Sequence, residues 1–127
     1  MFQNIFKVYT GSNTKDVLRL KGVDVMFPEN NKSPYEQIEW VKTNWMKDIT
    51  ILTFSPYILN YLNVLIAKDY MSRDNLAVFY VGESEDYLDL LCQDDKGRLI
   101  VDTRHLSDPI SEMYKEYNNL IQYKNNH

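Results

Sequence analysis

Apolar and polar residues alternate along the chain in short blocks, and the blocks change period. Asn4 to Tyr9 carries Ile5, Phe6, Val8 and Tyr9, which favour a pleated, half-buried surface, so this segment reads as a strand. Gly11-Ser12-Asn13-Thr14 is a turn signal. Val17, Leu18 and Leu20 make one short apolar element of open type, and Val23 to Phe27 is a brief strand-like run stopped by Pro28. Ser33, Pro34 and Glu36 spell a capping box, so a helix is predicted from Pro34 to about Trp45, with Ile38, Val41 and Trp45 at helical spacing. Ile49 to Phe54 is a second β-branched run. Ser55 then caps a helix that starts at Pro56 and carries Ile58, Leu62, Leu65 and Ile66 as far as about Tyr70. Leu76 to Val81 is a third core strand. Tyr87 to Cys92 and Arg98 to Val101 flank Asp94-Asp95-Lys96-Gly97, a turn with glycine placed for a positive φ, and read as a β-hairpin. Asp108 and Pro109 open a last helix with Ile110, Met113, Tyr117, Leu120 and Ile121 on one face, and residues 124–127 read as a frayed tail.

Short apolar strands alternating with helices predict an α/β fold in three layers: a mostly parallel sheet covered by helices, with the hairpin near 87–101 as an antiparallel edge. The 127 residues fit one domain, 1–127, large enough to bury a core without staples. The net charge of −4 and the lack of Lys/Arg clusters argue against a direct nucleic-acid or membrane-surface binder. One cysteine, Cys92, excludes an intrachain disulfide; lying in an apolar run, it reads as a small core hydrophobe. No stretch reaches the length of a membrane span, and Met1 to Tyr9 lacks the pattern of a signal peptide, so a cytoplasmic location is expected.

Little else carries chemistry. His105 and His127 are the two histidines; no second His or Cys stands at metal spacing, and His105 reads as a surface residue. Ser107, His105 and Asp108 lack the nucleophile elbow that a hydrolytic triad would need. Glu83-Ser84-Glu85-Asp86 reads as a solvated acidic loop.

The most distinctive stretch is Ile49-Thr50-Ile51-Leu52-Thr53-Phe54-Ser55-Pro56-Tyr57. It resembles the strand and switch of ABC/SMC-like ATPases, in the branch of bacterial ATPases related to the OLD nucleases, where an apolar strand ends in Thr-His-Ser-Pro-Tyr and enters a helix. Val23 to Asn30 resembles the Walker B strand with its following Pro-Glu, and Ser33-Pro34 with Glu36-Gln37 stands where the family has Leu-His-Pro and a Gln. The resemblance covers Val23 to Leu120. It implies a P-loop NTPase-like core with strand order 76–81, 4–9, 49–54, 23–27. It also implies a vestigial nucleotide site at Gly11, Ser12, Asn13, Thr14, Lys15, Glu29, Phe54 and Ser55.

The departures from the family set the functional expectation. No G-x-x-x-x-G-K-[ST] is present, Met26, Phe27 and Pro28 stand where the Walker B acids belong, and Phe54 replaces the switch His. Phosphate binding, metal binding and the switch are then all missing, and such catalysis consists of little besides positioning and charge stabilisation. The expectation is a non-catalytic, ATPase-like interaction or regulatory module with no catalytic residues, no metal and no cofactor. Its partner would be a protein, either an ATPase or a second copy. The alternative is an ATP-binding component, or a split ATPase half completed by a partner chain, using ATP and Mg²⁺.

Overall fold

The structure is a computed structural model and describes residues 4–11, 25–81 and 87–126, without the side chains of residues 107 and 108. Its elements are β1 (Phe6–Gly11), α1 (Pro34–Asn44), β2 (Ile49–Leu52), α2 (Pro56–Ala67), β3 (Leu76–Val81), β4 (Tyr87–Asp89), β5 (Leu91–Gln93), β6 (Leu99–Val101) and α3 (Arg104–Asn125). One sheet has the order β2-β1-β3-β4, and a second, two-stranded sheet is β5-β6. β1 pairs in parallel with β2 and β3, and β4 runs antiparallel to β3. Met26 forms an isolated parallel bridge with Ile51 on the outer side of β2. The fold is α/β with a mixed, mostly parallel sheet, and the three parallel strands lie in the anticipated order.

Both covering helices lie on one face of the sheet. Phe6, Val8, Ile51, Leu76 and Val78 point to that face and pack against Val41 of α1 and Ile58, Leu59, Leu62 and Leu65 of α2. The chain steps in the same direction across the sheet from Met26 through α1 to β2, and from β2 through α2 past β1 to β3. Right-handed crossovers in one direction deposit their helices on one side. The expected three layers, with helices on both faces, are therefore not met among the described residues. On the opposite face Tyr9, Leu52 and Val81 form a smaller cluster with Val25, Phe54 and Phe79.

The helix starts follow their caps. Ser33 Oγ accepts from Glu36 N at 3.3 Å while Glu36 Oε1 accepts from Ser33 N at 3.3 Å, and Pro34 stands in the first turn. α2 ends at Ala67 and not at Tyr70, because Asp69 adopts φ 64° and lets Tyr70 N reach back to Leu65 O at 3.0 Å. That reversal stacks Tyr70 on Trp45, ring centroids 5.8 Å apart, and buries Met71.

Three other expectations need correction. β1 runs to Gly11, two residues past the expected end, because β3 continues alongside it: Thr10 pairs with Tyr80 and Gly11 with Val81. The hairpin's first arm is broken at Leu90. Residues 87–89 extend the main sheet, whereas 91–93 pair with 99–101. Leu90 and Leu91 are both buried, and an unbent strand cannot put consecutive side chains into one core. The chain turns there, with Leu90 N donating to Val78 O at 2.9 Å and Leu90 O accepting from Asp102 N at 2.8 Å. Finally, α3 begins at Arg104, so Pro109 lies inside it and Asp108 is not its cap. Asp102 serves the start instead, its Oδ1 accepting from Arg104 N at 3.0 Å.

Candidate functional site

The carboxyl ends of β1 and β2, where an open α/β sheet keeps its ligands, hold four of the eight residues singled out by the family resemblance: Gly11, Glu29, Phe54 and Ser55. Gly11 is the last residue of β1. Ser12, Asn13, Thr14 and Lys15 lie outside the described residues, as do Asp24 and residues 83–86. Glu29, Phe54 and Ser55 are brought together with Gln37 and Thr53.

Most of the polar groups there bond to one another or to the backbone. Thr53 N continues the sheet by donating to Tyr9 O at 2.9 Å. Phe54 N then leaves the ladder and donates to Glu29 Oε2 at 3.0 Å, which is why β2 stops short of Phe54. Thr53 Oγ1 accepts from Ser55 N at 3.0 Å. Ser55 Oγ accepts from Ile58 N at 3.3 Å as the cap of α2, and donates to Gln37 Oε1. Gln37 Nε2 donates to Lys32 O at 3.0 Å. The loop from Phe27 to Lys32, with Asn31 at φ 58°, is thereby tied to the start of both helices. Gln37, Thr53 and Ser55 are buried.

This arrangement limits the chemistry available. Ser55 Oγ uses its proton on Gln37 and a lone pair on the helix, so it is engaged twice within the scaffold. One oxygen of Glu29 is likewise bound to a backbone amide, and the other, Oε1, is a buried atom with no hydrogen-bond partner among the described residues. A carboxylate in this place opposes a phosphate. The Phe54 ring packs edge-on to Phe27 with centroids 6.4 Å apart, an apolar contact in place of the hydrogen bond that an imidazole could make. Among the described residues no three His, Cys, Asp or Glu side chains gather as a metal site would require.

On the other side of β1, Thr10 Oγ1 lies 3.3 Å from His105 Nε2, and the His105 ring stands edge-on to Tyr80 at 5.2 Å. His105 is therefore half-buried at the root of α3, not a plain surface residue. Cys92 is half-buried on β5, with its Sγ 3.6 Å from Ile100 O.

The second candidate surface is α3 itself. Leu106 packs against the core in its first turn, whereas every residue from Pro109 to Asn126 is exposed. Ile110, Met113, Tyr114, Tyr117, Leu120 and Ile121 form one continuous apolar stripe on that exposed length. Residues 124 and 125, expected to fray, belong to the helix. Among the described residues no helix is long and apolar enough to cross a membrane.

The fold and the geometry of both surfaces define a small α/β protein with a mixed sheet and a projecting amphipathic helix. No family model matches the sequence, and no curated protein or solved structure matches it either.

Proposed function

We propose that this chain is a non-catalytic interaction module. It resembles the Walker B-to-C-terminus portion of ABC/SMC-like ATPases, keeps the sheet-and-helix body, and works by docking through α3 and not by turning over nucleotide. What supports the reading most is the stripe on α3: six large apolar side chains stand exposed on a helix whose first turn alone packs against the described core. Among the described residues none buries its length past Pro109, and most helical stability in proteins comes from packing an amphipathic face. Asn118, Asn119 and Asn125 lower its intrinsic propensity further. Its stability must come from a surface that covers the stripe. The engagement of Ser55, Glu29 and Gln37 inside the scaffold supports the non-catalytic half of the proposal.

The test replaces Met113 and Tyr117 with Glu in the full chain and follows thermal unfolding at a concentration low enough that sedimentation shows both forms to be monomeric. An interface stripe leaves the transition of the body in place, because substitutions at solvent-facing positions fall within about 0.5 kcal/mol. A transition lowered by many degrees, or lost, would mean that the stripe belongs to the chain's own core and would overturn the interaction reading.

A further inference from the structure

We propose that the partner seated on α3 is a second copy of this chain, paired antiparallel across a two-fold axis at Tyr117. The proposal rests on the interaction reading above and deepens it by naming the occupant.

Three observations point to a second copy. The first is the spacing of the stripe. A two-fold interface must be complementary to itself, with each residue i that meets j matched by a j that meets i. Tyr117 stands at the middle of the stretch from Met113 to Ile121. Three residues to either side are Tyr114 and Leu120, and four residues to either side are Met113 and Ile121. Reversed on itself, the helix therefore sets Met113 beside Ile121 of the other copy and Tyr114 beside Leu120. The next pair outward joins Ile110 to Lys124, whose methylene stem can cover the isoleucine while its ammonium stays in water.

The second is charge. The chain carries a formal net charge of −4, yet the segment from Pro109 to Asn126 holds two acids, Glu112 and Glu116, and two bases, Lys115 and Lys124. Two copies of this segment meet without net repulsion. A strongly basic or acidic partner finds no complementary field on it.

The third is area. The six stripe residues are between 38% and 67% exposed. With an aromatic covering roughly 150–250 Å² when fully buried, the stripe offers on the order of 700 Å² per chain, close to the ~800 Å² per partner of a standard stable interface. Two such faces give a dimer of ordinary size with no contribution from the rest of the body.

The experiment is sedimentation equilibrium of the full chain from about 1 to 100 µM, with the Tyr117→Glu variant beside it, and a cysteine-pairing assay in a Cys92→Ala background. The expected result is a dimer that Tyr117→Glu converts to a monomer. Oxidation of a mixture of Met113→Cys and Ile121→Cys chains should give the mixed disulfide, several-fold more abundant than either variant linked to itself. A monomer at 100 µM, a dimer indifferent to Tyr117→Glu, or Met113→Cys chains that link to themselves would each overturn the proposal. A monomeric chain whose Met113→Glu/Tyr117→Glu form still unfolds like the wild type would remove self-pairing alone, whereas loss of the body's transition in that form would remove the interaction reading as well.

Discussion

Replacing Ser55 with alanine separates a structural hydroxyl from a ligand-binding one. In the structure the Ser55 hydroxyl makes two bonds: it caps α2 by accepting from Ile58 N at 3.3 Å, and it donates to Gln37 Oε1. Loss of a serine cap costs about 1 kcal/mol, within a range of about 0.5–2. Loss of the second bond leaves the Gln37 carbonyl, in a buried residue, without its donor, at about 1–3 kcal/mol. Ser55→Ala should therefore destabilise the chain by about 2–3 kcal/mol, a fall of roughly 10 °C in Tm for a chain of this size. Urea denaturation of wild type and variant measures it directly. A double-mutant cycle with Gln37→Leu isolates the pair: in the leucine background the serine should be worth only its cap, leaving a coupling of about 1 kcal/mol or more. A Ser55→Ala variant within 0.5 kcal/mol of wild type would refute the reasoning and free the hydroxyl for another role.

Further outcomes follow from the same geometry. Glu29→Gln should cost less in urea titrations than Glu29→Ala, because the amide oxygen keeps an acceptor for Phe54 N, whereas Glu29→Ala should cost about 1–2 kcal/mol. Asn63 holds Val101 by both its N–H and its C=O, at 2.6 and 3.2 Å, so Asn63→Ala should selectively speed hydrogen exchange in residues 99–101. Asp69→Gly should raise stability by up to about 1 kcal/mol, since Asp69 sits at φ 64° just past the end of α2, where a residue without Cβ is unstrained. Acid should weaken the fold. The carboxyls of Asp94, Asp102 and Glu36 lie below their ordinary values, chiefly through hydrogen bonds from the Arg98 backbone, the Arg104 side chain and the Ser33 side chain. A depressed carboxylate pKa contributes stability that is complete at neutral pH. It is lost as pH falls through the ordinary 4.5 of a glutamate and 3.8 of an aspartate and below, so the urea midpoint should drop in that window.

How far the sequence reveals this molecule depends on whether the deciding contacts are local. The starts of α1 and α2 are written in four residues each, Ser33-Pro34 with Glu36 and Ser55-Pro56 with its apolar stripe, because a cap acts within one turn. The strand ends are not local. β1 extends to Gly11 because β3 lies beside it, and β2 stops before Phe54 because a carboxylate 25 residues away takes its amide. The break at Leu90 did have a signal, two consecutive buried leucines in a strand that should alternate. Pro109 misleads as a helix start: it lies inside α3, after a first turn set by Asp102 and anchored by Leu106. At the strand ends the bond between Ser55 and Gln37 joins residues 18 apart, so it is a matter of tertiary placement that no local pattern carries.

The account's central claim, that the strand-end cluster serves the scaffold and not a nucleotide, is tested most directly by titrating the full chain with ATP and Mg²⁺ while following the backbone amides by NMR. The account predicts no saturable shift at Gly11 or at Thr53, Phe54 and Ser55 up to millimolar nucleotide. Saturable binding in the micromolar range, centred on those amides, would contradict it and return the chain to the ATP-binding components.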